Sequence, residues 1–165
     1  MRILGIDPGT AITGYGLIES KGYDLNPVAY GILDTQAGLP SSERLKQLYE
    51  QMAQLLEEAQ ADLVAVEQLF FNKNVRTALS VGEARGVILL AIADKGIPVV
   101  EYTPPQVKMA VTGYGKADKR QVQLMVRSIL GLNKIPSPDD AADALAVAVC
   151  AAHSYSLEQR LSKEK

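Results

Sequence analysis

The sequence predicts an α/β domain built on a mixed five-stranded sheet, in which a three-strand antiparallel meander is joined by two parallel strands and flanked by helices. Three observations predict it. Close to the N-terminus, three apolar runs are separated by short breaks rich in Gly, Asp, Asn and Pro, the pattern of consecutive hairpins. Beyond Pro40, segments with a three- and four-residue apolar period alternate with compact apolar runs, so the later strands arrive through helical crossovers and lie parallel to the first. The chain has 165 residues, of which 47% are hydrophobic and 22% charged, enough for one full core and little more. Residues 1–156 are therefore expected to form a single domain and 157–165 a charged C-terminal tail.

The first strand is Arg2 to Asp7, a buried-type run that stops on a carboxylate and passes into Pro8-Gly9, with glycine read as leaving room for a ligand. Thr13 to Glu19 and Val28 to Thr35 complete the meander. Pro40-Ser41-Ser42 opens a helix whose inner face is Leu45, Leu48, Tyr49, Met52, Leu55, Leu56 and Ala59. Leu63 to Glu67 is a strand that again ends on an acid. A second helix runs from about Asn74 to Lys95, where Gly96 and Pro98 stop it. Gly82 and Gly86 inside that helix cost about 1 kcal/mol each relative to alanine, which implies a flat patch for a close neighbour. Val99 to Thr103 is the last strand, and Thr103-Pro104 caps a short helix ending near Gly113. Asp118, with Gln121 in the capping-box position, starts a helix that turns Val122, Met125, Val126 and Ile129 inward. Ser137-Pro138-Asp139-Asp140 starts the final, alanine-rich helix, whose end from Glu158 onward is read as loose.

Composition removes several function classes. No apolar run is long enough to span a membrane, and the N-terminus lacks a signal-peptide pattern. The single cysteine, Cys150, sits among Ala and Val, which fits core packing in a reducing cytosol and gives a cytoplasmic expectation. One histidine, His153, leaves no His-based zinc cluster and argues against a Ser-His-Asp triad. The net charge of −2 hides an asymmetry. Residues 104–134 carry Lys108, Lys116, Lys119, Arg120, Arg127 and Lys134 against Asp118 alone, a net +5, whereas residues 40–67 carry a net −4. A one-sided basic stretch on an acidic protein is the footprint expected of a phosphate-backbone contact, or of a solvated helix face.

Four acids stand out. Asp7 and Glu67 each close a strand, and if those strands are parallel neighbours both carboxylates emerge at one sheet edge. Asp140 and Asp143 lie on one face at the start of the last helix, with alanines beside them that permit close approach to the sheet. On helical geometry alone Asp139 lies about 40° from Asp143 and Asp140 about 60°, which slightly favours Asp139. Four carboxylates at one place repel unless cations neutralise them, and an oxygen-only donor set selects a hard ion, Mg²⁺ or Mn²⁺. Two such ions suit in-line displacement at phosphorus. The plainer role for Asp140 and Asp143 is to complement a helix dipole.

Gly5-Ile6-Asp7-Pro8-Gly9 followed by Gly14-Tyr15-Gly16 resembles the opening of the RuvC family of Holliday-junction endonucleases. Glu67-Gln68-Leu69-Phe70, then Asn74 and Gly82-Glu83-Ala84-Arg85-Gly86, is similar to that family's second acidic strand and the helix after it. Tyr102-Thr103-Pro104 with Gln106-Val107-Lys108, and Asp140-Ala141-Ala142-Asp143-Ala144-Leu145-Ala146, resemble its later segments, so the likeness extends from Met1 to about His153. It implies a ribonuclease-H-like fold, a homodimer, and Mg²⁺-dependent paired nicking of four-way DNA junctions, with two ions per subunit that Mn²⁺ can replace. It also implies the RuvA–RuvB branch-migration complex as partner. By matching position, Asp7, Glu67, Asp140 and Asp143 become metal ligands, Lys108 and Lys119 lie near scissile phosphates, and Phe70 works beside the junction centre. Lys73 and Arg76 would then grip phosphate, and Tyr114 and Lys116 form a further, basic and aromatic DNA contact. Two rivals share the opening or the fold: an actin-like ATPase, for which one domain is too few, and a ribonuclease acting on RNA–DNA hybrids. A third, a non-catalytic nucleic-acid-binding relative, would have lost one or more of the acids.

Overall fold

The computed structural model describes residues 1–68 and 75–163, with side chains as far as residue 155. The strands are β1 (Arg2–Asp7), β2 (Ile12–Lys21), β3 (Asp24–Asp34), β4 (Leu63–Glu67) and β5 (Val99–Tyr102). The helices are α1 (Ser41–Ala59), α2 (Val75–Asp94), α3 (Pro104–Thr112), α4 (Lys119–Ile129) and α5 (Asp139–Lys163). The strands form one sheet in the order β3-β2-β1-β4-β5. β1, β2 and β3 pair antiparallel, whereas β1 with β4 and β4 with β5 pair parallel. The meander followed by crossovers is as the sequence predicts.

Side-chain alternation splits the sheet into two faces. Leu4 and Ile6 of β1, with Val64 and Val66 of β4, pack against Leu48, Met52 and Leu56 of α1 and Ile88 and Ile92 of α2. Ile3 and Ala65 face the other way, onto Val107 and Val111 of α3, Val126 of α4 and the long apolar run of α5. Asp7 is in phase with Ile3 and Gly5, so its carboxylate belongs to the α3–α5 side.

Three glycines explain how closely α5 lies on that face. Gly5 pairs with Gly16 across β1 and β2, and Gly14 pairs with Asp7. A Cβ on Gly5 would stand 2.1 Å from the Ala144 carbonyl oxygen, and one on Gly14 would stand 2.0 Å from that of Asp140. On Gly16 it would meet the Leu145 side chain at 2.7 Å. The helix answers with Ala141, Ala144 and Ala148, all fully buried. Small residues on both surfaces thus set the start of α5 directly over the end of β1.

Some details differ from the sequence reading. β3 begins at Asp24 rather than Val28, because Pro27 lies on an edge strand where its missing N–H costs no ladder bond. Met125 is exposed at 39%, and Gln123 is buried on α4 beside Val122 and Val126, for a reason that lies at the site described below. The backbone of α5 stays helical to Lys163, past Glu158 where a loose end is expected. The anticipated capping box of Asp118 with Gln121 forms on α4, and the Thr103 cap expected on α3 proves to be a capping box as well, closed by Gln106. Among the described residues no helix is long and apolar enough to cross a membrane.

Candidate active site

Asp7 ends β1 and Glu67 ends β4, and the parallel register of those strands (Ile6 opposite Val66) carries both carboxylates to one edge. The turn after Asp7 is fixed by hydroxyl groups. Thr13, fully buried on β2, donates to the Gly9 carbonyl at 2.7 Å and accepts from the Gly9 N–H at 3.2 Å. Thr35 donates to the Thr10 carbonyl at 2.8 Å, and Thr10 donates to the carbonyl of Ser80 on α2 at 2.9 Å. The turn itself requires glycine at position 9: a Cβ there would stand 2.1 Å from the Ile12 carbonyl.

Burial and crowding of like charge dominate the electrostatics. Burial, then the charges of Glu67, Asp143 and Asp140, push the Asp7 carboxyl up to about 8. Burial, then the charge of Asp143, pushes Glu67 up to about 7, opposed by its hydrogen bond to Asp7 and by Lys108 and Lys119. Both carboxyls are thus harder to ionise than ordinary ones, Asp7 the more so. Asp143 is raised by burial against the pull of Lys119. Burial lowers Lys119, but Asp143 and Asp139 more than offset it, so its ammonium holds its proton more firmly than usual.

The two acids at the start of α5 diverge. Asp140 is half-buried and its charge is felt by both Asp7 and Asp143. Asp139 turns to α4 instead: its Oδ1 accepts from the Gln123 amide at 2.9 Å, and its Oδ2 lies 3.2 Å from the Lys119 ammonium. The same ammonium stands 3.2 Å from Oδ2 of Asp143. This explains the burial of Gln123, which spends its amide on Asp139. Nothing in the apolar periodicity of α4 signals that role; the only hint is a glutamine between Val122 and Val126 on the inward side.

Glu67, Asp143, Lys108 and Lys119 line one cavity of about 200 Å³, closed by Pro104, Val107, Val122 and Ala146. The structure thus brings Asp7, Glu67, Asp140, Asp143, Lys108 and Lys119 together. It does not bring Tyr114 there. Tyr114 is exposed and lines a separate groove with Thr112, Gln121, Leu124 and Met125, and Lys116 is exposed on the same loop. Arg76 is exposed in the first turn of α2. Phe70 and Lys73 lie outside the described residues.

Among the described residues, no three acidic, histidine or cysteine side chains converge tightly enough to form a ready metal cage. Charge and donor type nonetheless fit a hard divalent cation. The site is oxygen-only, and its repulsion is relieved by an added proton and a bridging ammonium, both of which a divalent ion could replace.

A family model for crossover junction endodeoxyribonuclease RuvC matches residues 3–151. The crossover junction endodeoxyribonuclease RuvC of Desulfitobacterium hafniense is 61% identical over 161 residues, 98% of each chain. That of Desulforamulus reducens is 61% identical over 150 residues, covering 91% of this chain and 92% of its own. Among solved structures, Thermus thermophilus RuvC in complex with a Holliday junction substrate superposes with a TM-score of 0.87 at 34% identity, over 95% of this chain and 96% of that one. On a glycine-floored edge that gathers four carboxylates, and on these matches along nearly its whole length, the chain belongs to the RuvC family of crossover junction endodeoxyribonucleases.

Proposed function

We propose that this endonuclease resolves four-way DNA junctions by paired hydrolytic nicks, with Asp7, Glu67, Asp140 and Asp143 holding Mg²⁺ or Mn²⁺, two ions per subunit. The observation that carries the reading is the convergence of half-buried carboxylates and two lysines in and beside one cavity. Divalent ions held there would activate water and stabilise the leaving oxygen of a phosphodiester. The chain's own groups do the rest. Glu67 and Asp7 accept or retain a proton near neutral pH, and Lys108 and Lys119 face an incoming phosphate with positive charge. Lys116 and Tyr114, on the loop before α4, and Arg76 at the start of α2 are further DNA contacts in this reading, and Phe70 and Lys73, outside the described residues, are assigned the same role.

A junction presents two equivalent strands, so two copies of the acid cluster are needed for paired cuts. An exposed stripe on α2 supports a homodimer: Val75 and Leu79 are 81% and 66% exposed, Leu90 is 55% exposed, and a Cβ at Gly86 would meet nothing within 4 Å. The RuvA–RuvB branch-migration complex is the proposed partner, in a reducing cytoplasm that suits the one buried thiol, Cys150.

Incubation with Mg²⁺ and an immobile four-way junction, a linear duplex, an RNA–DNA hybrid or ATP tests the reading. Symmetric nicks on opposing strands of the junction alone are expected. Cleavage confined to the hybrid would overturn it.

A further inference from the structure

Lys119 does something more specific than lend positive charge. Its ammonium bridges two carboxylates of unlike setting, at 3.2 Å each. Asp143 is the inner one, its side chain 30% exposed within the cavity; Asp139 is the outer one, 63% exposed at the start of α5. The outer anchor is itself held. Gln123, 7% exposed, donates to one oxygen of Asp139 and leaves the other to the ammonium. Lys119 and Gln123 are four residues apart on α4, so one helical face supplies both the cation and the group that fixes its outer partner.

We propose that Lys119 is an internal counter-cation that competes with the divalent ion for Asp143, and that Asp139, fixed by Gln123, keeps its ammonium at the cavity mouth when Asp143 is taken. The inference rests on the reading of Asp143 as a metal ligand. A carboxylate oxygen that accepts an ammonium N–H has that lone pair occupied, so ion and lysine compete for Asp143. Leaving Asp143 does not strip Lys119 of its partners, because the contact to Asp139 remains. Asp139 is then a positioning residue: it touches neither ion nor DNA and acts through Lys119. Held there, the ammonium still lines the cavity with Lys108, where a phosphate would enter. A salt bridge that only braces α4 against α5 predicts the opposite, since losing it would loosen the start of α5 and weaken ion binding.

Calorimetric titration of Mn²⁺ into the DNA-free full chain separates the two. Lys119→Ala should tighten Mn²⁺ binding at least about threefold more than Lys108→Ala, which removes equal charge from the same cavity without touching the bridge. Lys119→Arg should stay close to wild type. Asp139→Asn should weaken Mn²⁺ binding in the wild-type background and lose most of that effect beside Lys119→Ala, because Asp139 acts through the lysine. Unchanged or weaker binding in Lys119→Ala overturns the proposal, as does an equal cost of Asp139→Asn in both backgrounds. Asp7→Asn tells the two readings apart. If it leaves Mn²⁺ binding intact, the metal centre itself is misassigned. If it removes binding while Lys119 variants do nothing, only the counter-cation role fails.

Discussion

Asp7 stands where three kinds of constraint meet: the end of a buried strand, a hydroxyl-pinned turn and the charges of three other acids. Asp7→Asn should lower junction cleavage by at least roughly two to three orders of magnitude while leaving junction binding intact or stronger, because it removes negative charge where phosphate must come. Near wild-type nicking in Mg²⁺ would remove Asp7 from the site. The same residue predicts a pH dependence of stability. Its carboxyl titrates near 3.8 in the unfolded chain and about 8 in the folded one, and Glu67 is raised too, so the folded state binds more protons between those values. In chelator, stability should therefore fall as pH rises from 4 to 8, and Asp7→Asn should flatten the fall and raise the melting temperature at pH 8 by about 3 °C or more. A thermal midpoint independent of pH in the wild type would contradict it. Asp139 and Asp140 provide the next test, because Asp140 faces Asp7 whereas Asp139 is engaged with Gln123 and Lys119. Asp140→Asn should cost orders of magnitude in a single-turnover cleavage assay, and Asp139→Asn no more than about tenfold. The reverse order would shift the ligand assignment by one residue.

At the level of elements, the contact between α5 and the sheet decides whether the four acids meet. Gly5→Ala would drive a Cβ against the Ala144 carbonyl, and because the obstacle is backbone, the helix must move. A loss of about 1–3 kcal/mol is expected, and a displacement near 1 Å at Asp140 and Asp143 would cost cleavage about a hundredfold. Thermal denaturation and junction cleavage measured together check both, and a stable, fully active variant would show that α5 does not depend on this floor. The glycines bear on how much the sequence discloses. The meander, the helical crossovers and the α4 capping box are legible in apolar period and cap residues, because those signals are local in the chain. Asp7 and Glu67 could be placed at one edge because strand ends carry that information once the strands are parallel. The alternation of Gly5 with Asp7 and of Gly14 with Gly16 is also visible, but its meaning depends on which helix covers that face. Gln123 and Asp139 were less accessible still. Their roles arise from α4 meeting the start of α5, a tertiary contact that neither helix's own period encodes, which is also why the period of α4 points Met125 inward while the structure exposes it. The turn's own demand for Gly9 is not visible in the sequence, because the Ile12 carbonyl that crowds it comes from the path of the turn.

Across the whole molecule the sheet separates two surfaces of different character. The basic stretch 104–134 includes α3 and α4 and lies on the same face as the carboxylates, whereas the acidic stretch 40–67 includes α1 on the opposite face. On the proposed function this charge would direct DNA to the side that carries the acids, and α2 lies on the other side with an apolar edge exposed. Along α2, Val75, Leu79, Gly86 and Leu90 follow one another at steps of four, seven and four, so they form a single stripe down the helix. Gly86 is its flat point, open to solvent within one chain, and its cost of about 1 kcal/mol relative to alanine has no return inside the monomer. The proposed twofold contact of α2 with its own copy would provide that return, since the missing side chain would let two helices approach. Gly86→Leu should insert a side chain at that point without disturbing the monomer, and so weaken self-association at least about tenfold at unchanged thermal stability of the isolated chain. Light scattering across a concentration series reads the shift toward monomer, and a cruciform plasmid reads its consequence, nicked circles in place of linear product. A variant that remains dimeric and still linearises the plasmid would locate the interface away from α2.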